Sequence, residues 1–400
     1  MPDEPELTFG RRVRILRERS GKTRAVLGGL VGRSEEWVKA IETGKLLTPR
    51  LPLLLSLADV LGVDDLAELT GDQSIPVASV TKATHPATAA IAEAMNRPVV
   101  ARDVDPDSAD VHSRVGHAWQ LWHGSTTERT AVAAVLPDLL RDARAVVRLV
   151  DGADRRRAYA DLAQVYHLCQ LFLAHQPAAE LVWLAADRGM QAAQDADDPL
   201  AIATAAWYYA YVYRGAGQFA AAEEVVGDVI PLLDPEASTD HLARWGQLQL
   251  GVALASAKAG RGGVAWKYWD RSSGAADALG RGYLHPRTMF GRFTVDAFAV
   301  TIDVELFRAG EAVVRAERLD LGDMPSHTRR AAFLMDSARA HHQRREHVAV
   351  VHLLGRALRE SVETTRHQPF ARQAILELMG RRGTVRDDAR ELALSVGLLG

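Results

Sequence analysis

The sequence predicts an all-α protein: five short helices within the first seventy residues, then an extended array of helical hairpins. Three observations predict it. Side-chain caps and glycine stops follow one another closely through the first seventy residues, as they do in a chain of short helices. Apolar residues recur at helical spacing within each of those segments. Farther on, the pair Gly217/Ala222 is repeated by Gly260/Ala265 after 43 residues, and self-similarity at a fixed period marks a repeat architecture.

The elements follow in order. Thr8 can cap a first helix whose stripe is Phe9, Val13 and Leu16, and Gly21 ends it. Thr23 can cap a second, with Val26, Leu27, Leu30 and Val31 apolar, and Gly32 breaks it. Ser34 caps a third, buried through Trp37, Val38 and Ile41 and closed by Gly44. Pro49 and Pro52 flank the start of a fourth, LPLLLSLADVLGV, and DDLAELTG supplies a short fifth. The segment GRSEEW places two acids in the first turn of the third helix, where the positive end of the helix favours them.

Thr23, Leu27, Gly32, Ser34, Val38, Ile41, Glu42 and Gly44, followed by the leucine-rich fourth helix, give the segment its identity. It resembles the helix-turn-helix domain of the lambda-repressor and Cro type, often called XRE. The resemblance implies that the third helix enters the DNA major groove. It implies that Arg24 reads guanine, that Glu35 or Glu36 accepts from cytosine N4, and that Ala40 touches a thymine methyl. It also assigns Arg17 and Glu42 to a scaffold ion pair. The expected DNA-facing set is Thr23, Arg24, Arg33, Ser34, Glu35, Glu36, Lys39, Ala40 and Lys45.

Charge agrees with a nucleic-acid partner. Between Thr8 and Arg50, eleven basic and four acidic residues leave +7, inside a chain of net charge −3. Basic charge gathered on one small domain is the footprint of phosphate binding. A domain that has lost DNA binding, with a merely solvated basic face, is the alternative. The composition, 48% hydrophobic and 25% charged, is that of a globular protein. No apolar run reaches the ~18 residues of a membrane span. MPDEPELTFG lacks a basic region followed by an apolar core, so a cytoplasmic protein is expected. Cys169 is the single cysteine and reads as a structural thiol in LAQVYHLCQLFL. Arginine far outnumbers lysine and Asn96 is the only asparagine; this composition suggests a GC-rich genome such as that of an actinomycete.

The expected domains are a DNA-binding domain over 1–70, a linker over 71–87 and a helical array over 88–400. The linker stretch GDQSIPVASVTKATHPA is rich in Gly, Ser, Thr and Pro without a period. Residues 99–112 read as a loop. Around Gly217, the residues Ala206, Ala210, Tyr213, Phe219 and Ala222 resemble a degenerate tetratricopeptide repeat. Ala174/Ala179 precede that pair and Ala309 and Ala349 continue it. Five hairpins are expected from about Arg155 to Glu363, with a less regular pair before them and closing helices over 368–396. A non-repeating bundle is the alternative.

Arrays of this kind offer concave binding surfaces. Their aromatics nominate Trp207, Tyr208, Tyr211, Gln247, Trp266 and Trp269 as ligand-facing. No glycine loop for phosphates and no nucleophile elbow is present. HHQRREH (341–347) lacks metal-ligand spacing, so neither a catalytic nor a metal site is expected, and no cofactor. A repressor-like domain joined to such an array resembles bacterial regulators that include the peptide-pheromone receptors of Gram-positive bacteria. The resemblance implies a homodimeric transcription factor, a palindromic double-stranded operator, and a small-molecule or peptide effector. Peptide-binding arrays commonly hold peptides with asparagines, which this chain lacks there. A metabolite or a protein partner therefore competes with a peptide, and an interaction adaptor with a vestigial first domain is the rival reading.

Overall fold

Side-chain caps set the first three helices. Thr8, Thr23 and Ser34 lie in extended backbone and accept from the N–H groups of Arg11, Val26 and Trp37 at 3.4, 3.2 and 3.1 Å. Each satisfies a donor that a helix start leaves free. They open α1 (Phe9–Arg19), α2 (Arg24–Leu30) and α3 (Glu35–Glu42); α4 (Leu51–Leu61) and α5 (Leu66–Thr70) follow. The structure, a computed structural model, describes residues 8–63, 66–71, 84–98 and 107–399. Gly32 joins α2 to α3 at φ 65°, a left-handed conformation that glycine adopts without steric strain. Val13, Leu27, Val38, Ile41, Leu57 and Leu69 form the domain's own core. Each fully buried side chain of this size stabilises by about 1.5–3 kcal/mol.

The array begins with α6 (Thr88–Asn96), α7 (Ser108–Gly124), α8 (Glu128–Ala133) and α9 (Leu136–Leu149). The loop expected over 99–112 is corrected in its second half: Asp107 caps α7 by accepting from Ala109 N at 3.0 Å. Val111, Val115, Ala118, Trp119 and Trp122 then bury one face. Residues 99–106 and 72–83 lie outside the described residues. The last residues of the expected linker are docked on the array. His85 N donates to Gln176 Oε1 at 2.8 Å, and its Nε2 lies 3.0 Å from Thr130 Oγ1.

Five hairpins follow: α10 (Gly152–Leu173) with α11 (Ala179–Asp195), α12 (Pro199–Gly215) with α13 (Phe219–Val229), α14 (Thr239–Lys258) with α15 (Gly262–Leu279), α16 (Arg292–Glu305) with α17 (Ala309–Ala316), and α18 (His327–Gln343) with α19 (His347–Glu360). Helices α20 (Val362–His367), α21 (Pro369–Met379) and α22 (Thr384–Ser395) close the chain. The described residues hold 22 α-helices and no strand. The fold is all-α, with a repressor-like domain followed by a solenoid of tetratricopeptide-like hairpins.

The repeat register differs in part from the expected one. The hairpin turns reverse at His175, Gly217, Gly260, Phe307 and Arg345, all at positive φ. Five residues after the last four lie Ala222, Ala265, Ala312 and Val350, each at 0% exposure. The fourth and fifth repeats are thus marked by Ala312 and Val350, while Ala309 and Ala349 are only half-buried.

First helices of successive hairpins pack along one another, so they form the inner layer. Helix α16 serves two cores: Val295 and Ile302 face one, Phe293, Val300 and Val304 the other. The array also turns back on itself. Glu363 on α20 accepts from Arg129 N at 2.7 Å and Thr130 N at 3.0 Å on α8. Glu128, fully buried, accepts from Ser361 Oγ and Thr364 Oγ1, each at 2.6 Å, and pairs with Arg129 at 2.8 Å. The segment before the first hairpin therefore meets the segment after the fifth.

Candidate nucleic-acid interface and array interior

A buried ion triad holds the third helix in place. Glu42 accepts from Arg17 Nε at 2.5 Å and from Arg24 Nε at 2.7 Å, with its carboxylate 1% exposed. Arg17 also donates to the Lys22 carbonyl at 2.9 Å. One carboxylate thus fixes α1, α2 and α3 together. Arg24, expected to read guanine, is engaged with Glu42 in this arrangement.

The other expected DNA contacts divide by exposure. Thr23, Glu35, Glu36, Lys39 and Lys45 are exposed, and Lys39 pairs with Glu36 at 3.5 Å across one turn. Ala40 is 2% exposed in this arrangement, so its methyl is not open to a base while the domain is docked. Arg33 and Ser34, at the tip of α3, are half-buried because the array covers them.

That cover is built from the hairpin turns. The Arg33 guanidinium lies 5.1 Å from the Phe219 ring centre and 5.9 Å from that of Trp37. Burial lowers its pKa, while Glu305 opposes the shift. Ser34 sits on Gly260 so closely that a Cβ there would overlap the serine side chain. Arg345 donates to the Thr43 carbonyl at the end of α3, and Lys45 shares an open pocket with Phe307, Arg308 and Arg344. Three of the five turns therefore touch α3 or its flanks, and the Phe307 turn lines a pocket with Lys45. A helix whose N-terminus meets base edges cannot do so while its tip lies against Phe219 and Gly260.

The expected ligand-facing residues also divide. Trp207, Tyr208 and Tyr211 on α12 and Gln247 on α14 belong to inner-layer helices. Tyr208 stacks on His167 with centroids 4.6 Å apart and lies 6.3 Å from Trp119. Tyr211 bonds His175 Nε2 at 2.9 Å. Gln247 Oε1 is buried without a partner. Trp266 and Trp269 lie on α15, the second helix of its hairpin. Trp269 donates to the Val295 carbonyl at 2.9 Å, and Arg315 covers Trp266 at 4.7 Å. These two seal the joint between hairpins.

Sequence reasoning missed a group of inner-layer cations and histidines. Arg214, Arg244, Arg287 and Arg329 come from α12, α14, the loop before α16, and α18. Arg244 donates to His285 Nε2 at 2.8 Å, and Arg329 to the Thr288 carbonyl at 3.2 Å. His123 Nε2 lies 2.8 Å from the Arg287 carbonyl, which can only accept, so Nε2 carries the proton and Nδ1 accepts from Ser326 Oγ at 2.9 Å. One signal was legible: Arg214 and Arg244 stand in strongly apolar helices.

Burial holds three imidazoles neutral. It takes His123 down to about 4 and His167 to about 3, where Arg244 and Arg287 add to the shift. His285 falls to about 2 through burial, the same two arginines and His123. Burial also pushes the Cys169 thiol up to about 12, which makes it a packing group. Among the described residues no three His, Cys, Asp or Glu side chains converge as a metal set, and no helix is long and apolar enough to cross a membrane.

A pH dependence follows. Above the ordinary histidine value of 6.5 the folded and unfolded chains both hold these imidazoles neutral. Below it the unfolded chain takes up protons that the folded chain refuses until its lowered values are reached. Stability falls as pH drops from 6.5 toward 4, by about 1.4 kcal/mol per pH unit per fully refused proton. Urea midpoints measured at about pH 7.5 and about pH 5 test this; equal midpoints would contradict buried neutral histidines.

Residues 8–69 match the family described as a helix-turn-helix domain. No curated protein matched the chain. Three solved structures are similar over most of their length, with low superposition scores. One is PlcR of Bacillus thuringiensis in complex with the peptide PapR7 and DNA, 11% identical, covering 86% of this chain and 99% of that one, TM-score 0.30. Another is ComR from S. thermophilus in complex with DNA and its signalling peptide ComS, 11% identical, covering 88% and 99%, TM-score 0.27. The third is ComR from Streptococcus suis, 13% identical, covering 86% and 96%, TM-score 0.22.

Proposed function

We propose that this chain is a DNA-binding transcriptional regulator of the XRE type whose helical array senses an effector and controls access to the third helix. The carrying observation is the matched helix-turn-helix domain, with a charge of +7 between Thr8 and Arg50, docked by its reading helix on the hairpin turns. Residues 1–70 form the DNA-binding unit, 71–87 the connection and 88–400 the sensing array. Thr23, Arg24, Arg33, Ser34, Glu35, Glu36, Lys39 and Lys45 supply the contacts once the unit is released. Arg24 exchanges one partner, Glu42, for a base. The regulator acts in the cytoplasm as a homodimer on a palindromic site, each reading helix entering one half-site. The actinomycete composition agrees with this layout, and no enzymatic step is needed for it.

The docked arrangement lowers apparent DNA affinity by the fraction of molecules that are open. Phosphate contacts make the remaining binding steeply salt-dependent. Lys39 and Lys45 are exposed and lie outside the core, so their replacement leaves the fold intact. Lys39→Ala/Lys45→Ala is expected to reduce the slope of log affinity against log salt by about 2. Fluorescence anisotropy of labelled duplex DNA over a salt series reads it. An unchanged slope would remove these residues from the interface.

A further inference from the structure

The interior of the array holds arginines that form no direct ion pair; Asp161 acts on Arg287 and Asp240 on Arg244 only from beyond bonding distance. Arg214 and Arg244 are each 7% exposed, and Arg287 and Arg329 are half-buried. None of the four is ion-paired to a described carboxylate, in contrast to Arg339, which pairs with Glu305 at 2.8 Å and Asp336 at 3.0 Å. An isolated buried charge is strongly unfavourable unless something compensates it. The compensation seen is incomplete. Arg214 Nη1 and Arg244 Nε have no partner, and neither do Gln170 Oε1, Gln247 Oε1 or either ring nitrogen of His167.

These groups share one place. Arg244, Arg287 and Arg329 all act electrostatically on Tyr208, and Arg214 and Arg329 on Tyr211. Arg244 and Arg329 both reach Thr288, at its hydroxyl and its carbonyl. Aromatic groups stand among them: His167 stacks on Tyr208 with centroids 4.6 Å apart, Trp119 lies tilted 6.3 Å from Tyr208, and Arg214 lies over Trp207 at 5.3 Å. The site thus combines guanidinium donors, flat apolar walls and orphan amide oxygens that can only accept. Guanidinium groups recognise carboxylate and phosphate oxygens through paired N–H bonds. The orphan oxygens call for a donor on the ligand.

We propose that the inner layer of the array binds a small organic oxyanion, a carboxylate or phosphate carrying a planar ring and a hydroxyl or amino donor, through Arg244, Arg329 and Arg287, with Tyr208 and Trp119 against the ring. This names the effector class of the sensing array and rests on that reading of it. Arg214 and, from the DNA-binding unit, Arg50 also act electrostatically on Tyr211.

The test uses the full chain and no DNA, so its outcome is independent of whether the protein reads DNA. Urea unfolding is followed with 4-hydroxybenzoate, with inorganic phosphate, with the neutral 4-hydroxybenzamide, and with sodium chloride at matched ionic strength. The two oxyanions should raise the midpoint, a ligand bound only to the folded state being stabilising; the amide and chloride should not. Arg244→Met/Arg329→Met should abolish the shift while leaving the ligand-free midpoint equal to or above that of the parent, since it removes uncompensated charge. Arg339→Met, which breaks a paired network, should lower the ligand-free midpoint and keep the shift. A response to phosphate alone would keep the anion site and assign the head group to phosphate. The proposal is overturned if neither oxyanion exceeds chloride, if the amide matches the benzoate, or if the double variant retains the shift.

Discussion

Gly260→Val is expected to raise the affinity of the full chain for duplex DNA about tenfold or more, a change of about 1.4 kcal/mol in the docking equilibrium. Gly260 stands at φ 77° with Ser34 directly against it. Any Cβ there overlaps the residue that caps the reading helix, so the two surfaces must separate. The substitution also strains the hairpin turn, since left-handed backbone disfavours a β-branched residue. Gly383→Val separates the two effects. Gly383 has φ 69° and open space around it, so it carries the strain without the overlap. Anisotropy titrations of the parent and both variants should show tight binding only for Gly260→Val. Equal affinity of all three would mean that the docking does not limit DNA access.

The second large effect concerns the domain itself. Glu42→Ala should destabilise the helix-turn-helix unit by about 3–5 kcal/mol, the usual penalty for stranding a buried charge. It leaves Arg17, 7% exposed, with the Lys22 carbonyl and a partly exposed Glu18 at 3.3 Å. It also releases Arg24 from α3. A unit of about sixty residues buries too little surface to absorb such a loss. Hydrogen exchange should therefore accelerate in peptides from 9–63 and stay unchanged in peptides from 152–360, whose cores are separate. Acceleration in both regions would show that the two units unfold as one.

Much of this architecture was legible because its signals are local. A cap and a glycine define each of the first helices, and both act within a few residues of the sequence. The second and third hairpins were legible for the same reason, since Gly217 and Gly260 occupy left-handed turns. The fourth and fifth place Phe307 and Arg345 in that conformation, at φ 59° and 63°. No residue preference announces such a turn, and the expected register settled on Ala309 and Ala349 instead of Ala312 and Val350.

The interior site lies at the opposite extreme. Its arginines stand on four separate segments and meet only because the array curls until Glu128 and Glu363 join its two ends. Trp266 and Trp269 looked like groove residues by type, yet their helix belongs to the outer layer, and layer membership is a tertiary property. The cover on Ala40 was equally illegible: its position in α3 matched the family's reading face, and its 2% exposure belongs to the docked chain as a whole.

Selection from random duplex DNA by the parent chain, by Gly260→Val and by Gly260→Val/Glu35→Ala/Glu36→Ala shows whether this chain reads DNA and whether its own array controls the reading. A recurring motif should be enriched strongly by Gly260→Val and weakly by the parent, and a changed motif should appear once the two exposed acids of α3 are removed. Recovery of no motif from the released variant at low salt would mean that the chain does not read DNA.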